Sequence, residues 1–304
     1  MEEKAEKKYL WVGFQSHKKD IYHARKNMLQ MINEDRAIFA HANPPPNMIY
    51  AAQINTHNPR TGVKTAMGDV GEIKAYVEHQ HLRFIVHTPY VINSFWGDPT
   101  SEKLEVVREH ARAAKEISAE GMVVHLPKQR PEHVAEVLKA IGPTECPIFL
   151  ENHAYKSDDC SYETPNKLNA LSQELDKLPF HTWYCIDTAH LWSNITPTDR
   201  MAGYCIEKEQ GFYKWLSELS PSSIKRIRWF HLNGSQNPSS SNKDHHASLT
   251  GPTDKMWSKD NLGSLPYIIK FAQLNQIGLI LENNDDEQKY TVESLKVIAS
   301  ILTR

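Results

Sequence analysis

The chain has 304 residues, of which 40% are hydrophobic and 24% are charged, and its formal net charge is −2. This composition is typical of a globular protein with a large core. It excludes a protein that binds nucleic acid through a strongly basic surface alone.

Cysteine usage and hydropathy restrict the class further. The four cysteines have no CxxC spacing, which excludes a disulfide scaffold or a cysteine zinc site and favours a reducing, intracellular setting. The apolar runs are too short for a membrane span, and the N-terminus has no apolar signal region. Residues 1–8 are mostly charged, so we expect a flexible extension before a single domain at 9–304.

Short apolar segments alternate with helical patterns along the chain. The predicted strands lie at 9–14, 48–54, 83–88, 122–126, 147–151, 183–186, 224–232 and 277–282. The predicted helices lie at about 20–34, 70–79, 100–121, 134–141 and 165–178, then in a segment ending near 219, and at 265–274 and 292–302. Apolar strands that alternate with amphipathic helices indicate a parallel sheet covered on both sides. Eight such units predict one α/β domain, a (β/α)8 TIM barrel.

Three connections between predicted elements are expected to lack regular secondary structure. Residues 55–65 form a polar loop, residues 191–207 a long irregular connection, and residues 234–244 a mobile loop rich in Ser and Asn.

Six consecutive predicted strands end in a His, Asp or Glu. These residues are His87, His125, Glu151, Asp187, His231 and Glu282. His190 follows Asp187 by three residues, and the loop after the seventh strand adds Asp244 and His246. One such residue is more often a packed side chain or a helix cap. Six in succession favour a metal site at the carboxyl ends of the strands, where barrel enzymes have their active sites. Because zinc takes about four ligands, nine side chains with one shared carboxylate predict two or three ions.

The same segments resemble the endonuclease IV family of zinc-dependent apurinic/apyrimidinic endonucleases. The matching runs are VHTPY at 86–90, VHL at 124–126, LEN at 150–152, CIDTAH at 185–190, HLN at 231–233, DHHASL at 244–249 and ILE at 280–282. The CIDTAH run is the most specific of them. The run AHLWS at 189–193 is closer to homologues from large DNA viruses.

The resemblance implies three zinc ions. The first would be held by His87, His125 and Glu151. The second would be held by Glu151 as a bridge, with Asp187, His231 and Glu282. The third would be held by His190, Asp244 and His246. Glu282, Glu151 and Asp187 would be the catalytic residues, with Glu282 orienting or deprotonating the attacking water.

The implied reaction is hydrolysis of the phosphodiester 5′ to an abasic site in double-stranded DNA. It leaves a 3′-hydroxyl and a 5′-deoxyribose phosphate, and the family also repairs blocked 3′ ends. We expect a monomer with no membrane association, acting in the cytoplasm or nucleus, or in a virion if the protein is viral.

The resemblance also implies that Arg60, Tyr90 and Val91 contact DNA, with Tyr90 and Val91 as a wedge beside the flipped-out nucleotide. The alternatives are that Tyr90 belongs to the core and Arg60 is a surface charge. The chain departs from the family pattern at four positions: Gln15 in place of a His, Gly234 in place of an Asp, His245 in place of a basic residue, and Val91 in place of a Leu.

Two other functions stay open at this point. A metal-dependent sugar or sugar-phosphate isomerase could use the same barrel with one or two ions. A damage-binding protein could keep the fold without catalysis. The pair Asp244 and His246 argues for a third ion and against the isomerase, and the full ligand set argues against a non-catalytic protein.

Overall fold

Eight parallel strands pair around a closed ring in the computed structural model, which describes residues 8–15, 27–57, 68–154, 162–283 and 289–304. The barrel strands are β1 (Leu10–Gln15), β2 (Met48–Ile54), β3 (Arg83–His87), β4 (Met122–His125), β5 (Ile148–Glu151), β6 (Trp183–Asp187), β7 (Ile227–His231) and β10 (Gly278–Leu281). Each strand pairs with its neighbours in chain order, and β1 closes the ring against β10. The predicted TIM barrel is therefore confirmed.

Helices follow the strands and cover the outside of the ring. Those of the described residues are α1 (Met28–His41), α2 (Val70–His79), α3 (Ser101–Glu116), α4 (Pro131–Ile141), α5 (Pro165–Leu175), α6 (Thr188–Asn194), α7 (Pro197–Met201), α8 (Gly211–Ser217), α9 (Pro221–Arg226), α10 (Leu265–Leu274) and α11 (Lys289–Leu302). A 3-10 helix covers Tyr90–Trp96. A short hairpin, β8 (Gly234–Ser235) with β9 (His246–Ala247), lies outside the barrel.

The apolar side chains form two clusters on opposite faces of the sheet. The larger cluster fills the space between the strands and the helices. The smaller one fills the barrel interior with Ala51, Ile85, Val123, Phe149, Cys185, Trp229 and Ile280. Trp229 needs a glycine opposite it, because a Cβ on Gly278 would lie 2.2 Å from the indole ring. Beyond this packed layer, polar side chains from the strand ends gather at the carboxyl end of the barrel.

The predicted elements match the structure best where apolar periodicity is regular. The second strand and the helices at 70–79 and 265–274 have the predicted bounds. The helix predicted at 20–34 reaches His41, and its part before residue 27 lies outside the described residues. The helix after Thr100 ends at Glu116, not at Gly121, and Ser118 follows with a φ of 60°.

The prediction for residues 191–207 was wrong. Two short helices, α6 and α7, occupy much of this segment. α7 has a capping box, in which the side chains of Thr196 and Asp199 each accept a hydrogen bond from the other's backbone N–H. The seventh strand begins at Ile227 instead of residue 224, because α9 fills the preceding turn.

Residues 234–244 do not form the loose loop that their composition predicts. The β8–β9 hairpin holds both flanks, since Gly234 pairs with Ala247 and Ser235 pairs with His246. The tip lies against α6, where the backbone N–H of Asn242 donates to the carbonyl of Ser193 at 2.9 Å.

In the part of the chain that the structure describes, no helix has the length and apolar character needed to cross a membrane.

Candidate metal centre at the barrel mouth

The carboxyl ends of the strands bring all nine predicted ligand side chains to one face of the barrel. Adjacent strands place their last residues side by side, so that His125 is in register with Glu151 and Asp187 with His231. Eight of the nine are largely buried, and the Asp244 side chain is 27% exposed. Side chains far apart in the sequence therefore form one polar cluster, as the strand-end pattern predicts.

Glu151 lies at the centre of the first group. Its Oε2 lies 3.3 Å from His87 Nε2 and 3.0 Å from His125 Nε2. Its Oε1 lies 2.8 Å from His231 Nδ1. A carboxylate with imidazoles on both oxygens is placed to bridge two neighbouring ions.

The second group consists of four buried side chains. The carboxylate and ring atoms of Glu151, Asp187, His231 and Glu282 lie within 4.8 Å of one another. His231 Nδ1 is 3.3 Å from Glu282 Oε2 and 3.9 Å from Asp187 Oδ2. The set is the same as the one that the family resemblance implies for the second ion.

Asp244 joins the third group. Its Oδ1 lies 3.2 Å from His190 Nε2 and 2.9 Å from His246 Nε2. Both ring nitrogens are buried, and among the described residues neither has a partner in hydrogen-bonding geometry. Two buried nitrogens that converge on one carboxylate oxygen form a pocket suited to a cation.

Asp187 and His190 are tied together by local structure. The sequence places His190 in a loop, but it lies in α6, whose N-cap is Asp187. The Asp187 side chain accepts a hydrogen bond from the His190 backbone N–H at 2.8 Å. The short helix places the His190 ring between the groups, with Nε2 3.2 Å from Asp244 Oδ1 and Nδ1 3.6 Å from Glu151 Oε1.

Asparagine side chains that the sequence analysis did not single out hold the carboxylates in place. Asn233 Nδ2 donates to Asp187 Oδ2 at 2.7 Å and to Glu282 Oε2 at 3.2 Å. Asn152 Nδ2 donates to the Asp187 carbonyl at 3.1 Å. Both asparagines belong to runs that match the family, LEN and HLN, so a signal for them was present in the sequence.

Gln53 and His153 were also missed. Gln53 lies in β2 and contacts both His231 and Glu282. The His153 ring stacks on His125 with a centroid distance of 4.2 Å, and its ring atoms group with those of His190 and Asp244. Burial, together with the positive charge of His125 and His190, lowers the pKa of His153 to about 2, so its ring is neutral. The only sequence signal for Gln53 is a polar residue inside an apolar strand.

The charges of the third group are strongly coupled. Burial disfavours the charged form of His190, but the carboxylates of Asp187 and Asp244 outweigh it and raise the pKa of His190 well above its usual value. Burial also disfavours the charged form of His246, but Asp187 and Asp244 outweigh it and raise the pKa of His246 to about 9. Burial would raise the pKa of Glu282, but His231 and His246 lower it to about 2. Protons on His190 and His246 therefore offset part of the negative charge of the nearby carboxylates.

The space between these side chains is small. A cavity of about 30 Å³ is bordered by Gln15, Asn55, His87, Tyr90, His125, Glu151, His190, Asp244, His246 and Glu282. It has room for ions or water but not for a molecule of nucleotide size. Tyr90 stands at that rim with 46% of its surface exposed and its ring 4.9 Å from the His125 ring.

The remaining predicted DNA contacts, and two of the positions at which the chain departs from the family pattern, lie in different parts of the chain. Arg60 lies outside the described residues. Val91 belongs to the 3-10 helix that begins at Tyr90. Gly234 faces Asp254, whose carboxylate leaves no room for a side chain there. His245 Nδ1 lies 3.3 Å from Asn237 Oδ1 in the hairpin loop.

A family model described as "Xylose isomerase-like TIM barrel" matches residues 50–301, most of the chain. The chain belongs to this family. It is also similar to a protein named "Probable AP endonuclease" from African swine fever virus (isolate Pig/Kenya/KEN-50/1950). The two are 29% identical over 251 residues, which cover 77% of this chain and 79% of the viral protein.

Two solved structures have the same fold. The structure titled "The crystal structure of AsfvAP:AG" matches with a TM-score of 0.81 and 23% identity, over 97% of this chain and 98% of that one. Endonuclease IV from Thermus thermophilus matches with a TM-score of 0.68 and 23% identity, over 96% of this chain and 98% of that one.

Proposed function

We propose that this protein is a zinc-dependent apurinic/apyrimidinic endonuclease, which hydrolyses the phosphodiester 5′ to an abasic site in double-stranded DNA. The observation behind the proposal is the cluster of nine ligand-type side chains at the barrel mouth, in which several sets of three or four side chains lie close enough to hold an ion and Glu151 belongs to two of these sets. The viral relative named as an AP endonuclease and the endonuclease IV structure support the same activity.

The side chains fit the proposed ions. Imidazole nitrogens and carboxylate oxygens are ligands that zinc accepts, and the nine side chains include no thiolate that would favour a softer metal. The buried Nε2 atoms of His190 and His246 have no hydrogen-bond partner among the described residues, which is the condition expected of metal-ligating nitrogens. We assign the first ion to His87, His125 and Glu151, the second to Glu151, Asp187, His231 and Glu282, and the third to His190, Asp244 and His246.

The ions would supply positive charge for the phosphodiester and for the departing 3′ oxygen. The chain's own residues then have defined tasks. Glu282, Glu151 and Asp187 are the catalytic carboxylates: Glu151 spans two groups, Glu282 borders the cavity between the side chains, and Asp187 is fully buried near His231. The low pKa of Glu282 keeps it ionised at neutral pH, so it orients the attacking water as a hydrogen-bond acceptor.

DNA recognition would use the rim of the cluster. The exposed ring of Tyr90 is available to stack against a base beside the abasic site, with Val91 following it and Arg60 as a further contact. Monomeric state, 3′-end repair, and a location in cytoplasm, nucleus or virion stay predictions.

The test is incision of a duplex that carries one abasic site, with metal analysis of the same sample. We expect about three zinc ions per chain, a nick on the 5′ side, loss of activity on chelation, and recovery with zinc. Glu282→Gln should lower the rate by at least about 100-fold at unchanged secondary structure. An active metal-free protein would contradict the proposal, and one or two ions with turnover of a sugar would favour the isomerase.

A further inference from the structure

Gln53 is a buried polar side chain in an apolar strand. β2 reads MIYAAQI, and Gln53 has no exposed surface. Its Nε2 lies 2.6 Å from Glu282 Oε1, and its Oε1 lies 2.7 Å from His231 Nε2. A buried amide is tolerated only when its hydrogen-bonding groups are satisfied, and both partners here are proposed ligands of the second ion.

The orientation of the amide follows from the chemistry of its partners. A carboxylate accepts hydrogen bonds and does not donate them when ionised, so the NH2 group of Gln53 must face Glu282. The carbonyl oxygen of Gln53 therefore faces His231, and only an N–H on Nε2 can donate to it. The His231 proton position is thus determined by Gln53.

This proton position decides which ring nitrogen faces the ions. With Nε2 bonded to Gln53, His231 presents Nδ1 to Glu151 Oε1 at 2.8 Å and to Glu282 Oε2 at 3.3 Å. In the same way, the bond from Gln53 to Glu282 Oε1 leaves Oε2 directed towards Nδ1. One amide orients two side chains of the second group.

Other histidines of the cluster are oriented by main-chain atoms. His87 Nδ1 lies 2.8 Å from the Thr88 carbonyl, and His190 Nδ1 lies 2.7 Å from the Asn152 carbonyl. Both rings therefore present Nε2 to the cluster. His231 has the reverse arrangement, and its orienting partner is a side chain that substitution can remove.

We propose that Gln53 is a positioning residue for the second metal ion: its amide selects Nδ1 of His231 as the ligating nitrogen and holds Glu282 with Oε2 towards the ion. The inference rests on the proposed function, because it assumes that the cluster binds metal. Partners of this kind, which do not touch the ion, typically change metal affinity by about 10- to 100-fold.

Two substitutions separate the two hydrogen bonds. Gln53→Leu removes both. Gln53→Glu keeps an acceptor for His231 Nε2 but cannot donate to Glu282 and places a second carboxylate beside it. Ile54→Ala is the matched control, because Ile54 is equally buried in β2 but packs in the larger apolar cluster outside the barrel. It should lower stability without altering the hydrogen bonds of the second group.

Two measurements are needed on the full-length protein. The first is zinc content at a series of buffered free-zinc concentrations, beside thermal unfolding. The second is the side-chain ¹⁵N spectrum of the zinc-loaded protein, with the His231 signals assigned through a His231→Gln variant. We expect Nε2 of His231 to carry the proton in the wild type.

In Gln53→Leu, the second ion should bind about 10- to 100-fold more weakly while the third group keeps its ion. Gln53→Glu should keep the His231 proton on Nε2 and still lose affinity, through Glu282. Ile54→Ala should unfold at a lower temperature with all ions retained. A Gln53→Leu protein with wild-type zinc affinity, or a wild type with the proton on Nδ1, would overturn the inference.

The same data distinguish this inference from the proposed function. A wild-type protein that binds no zinc and leaves abasic DNA intact would overturn both. A wild type that binds zinc and cleaves, together with Gln53 variants of unchanged affinity, would overturn the role of Gln53 alone.

Discussion

The Asp187 carboxylate and the His190 backbone are joined by a hydrogen bond of 2.8 Å, although the two side chains belong to different proposed ion sites. Asp187 Oδ1 caps α6, and Asp187 Oδ2 lies 3.5 Å from His246 Nε2. Asp187 Oδ2 also lies 3.9 Å from His231 Nδ1, so the side chain that borders the proposed second ion site also holds the helix that carries His190. A change at Asp187 has two separable effects, one on charge and one on helix capping.

Asp187→Asn and Asp187→Ala should separate these effects. Asparagine caps helices as well as aspartate but removes the charge, so Asp187→Asn should lose the second ion and keep the third. Alanine removes the cap as well, at a cost of about 1 kcal/mol, and should weaken the third ion too. Zinc titration of both variants measures how many ions each one loses. Thermal unfolding of the wild type and of each variant measures the change in stability.

The capped helix α7 supplies the control. Thr196→Ala removes the hydrogen bond that its side chain accepts from the Asp199 backbone N–H at 3.2 Å, and Thr196 is not among the proposed ligands. It should lower stability by a similar amount and leave zinc content unchanged. Equal loss of both ions from Asp187→Asn would contradict the division of the cluster at Asp187.

Zinc uptake should release protons from the third group at neutral pH. His246 has a pKa of about 9 and His190 a pKa well above its usual value, so both rings are protonated at pH 7 without metal. An ion must displace these protons, and the apparent affinity should therefore rise with pH from the neutral range up to at least about pH 9, the pKa of His246. Calorimetry in buffers of different ionisation enthalpy should find about one to two protons released by this group.

The matched variant for this measurement is Asp244→Asn, which removes one of the carboxylates that raise both pKa values. It should bind the third ion more weakly and release fewer protons at pH 7. Uptake that is independent of pH between about 6 and 9 would be incompatible with the charge balance described for the cluster.

The convergence of the strand-end side chains was predictable because each is a polar exception at the end of an apolar run. His125 closes MVVH and Glu151 closes IFLE, and the barrel requires these ends to meet. Gln53 was not predictable in the same way. Its hydrogen-bond partners lie 178 and 229 residues away in the sequence. The role of its amide therefore depends on side chains that come near only in the folded protein.

The short helices were missed for a different reason. α6 and α7 have seven and five residues, too few for an apolar period to be recognised. Their N-cap residues could have been recognised in the sequence. Asp187 and Thr196 each stand three residues before the residue whose backbone N–H donates a hydrogen bond to their side chain. A search for capping residues, made independently of apolar periodicity, would have predicted both helices. It would also have predicted that His190 lies in a helix.

Tyr90 should contribute to abasic-site recognition by stacking. Its ring is 46% exposed at the rim, so Tyr90→Ala should leave the fold intact. Stacking of a base on an aromatic ring contributes about 1–3 kcal/mol, and the incision efficiency should fall by roughly 10- to 100-fold. Tyr90→Phe should stay close to the wild type. Tyr213→Ala is the control, because Tyr213 is 51% exposed in the outer helical layer. An equal effect of both alanine variants would argue against a specific contact.

Gly234 should be required by its contact with Asp254, not by its backbone angles. A Cβ at Gly234 would lie 2.5 Å from Asp254 Oδ2. That carboxylate cannot move aside cheaply, because the backbone N–H groups of Thr250 and Met256 donate to it at 3.0 and 2.9 Å. Gly234→Ala should therefore destabilise the protein by about 1–3 kcal/mol, measured by denaturant unfolding.

Gly97→Ala is the matched comparison, since among the described residues no atom other than those of its two chain neighbours lies within 4 Å of the added Cβ, and its φ of −84° suits any residue. It should be neutral or stabilising by up to about 1 kcal/mol, because alanine reduces the freedom of the unfolded chain. Asp254→Ala removes the carboxylate that a Cβ at 234 would contact. In an Asp254→Ala background, Gly234→Ala should therefore cause little further loss of stability. A Gly234→Ala protein as stable as Gly97→Ala would mean that the hairpin shifts to accept a side chain, and the family's aspartate could then be introduced at 234 as well.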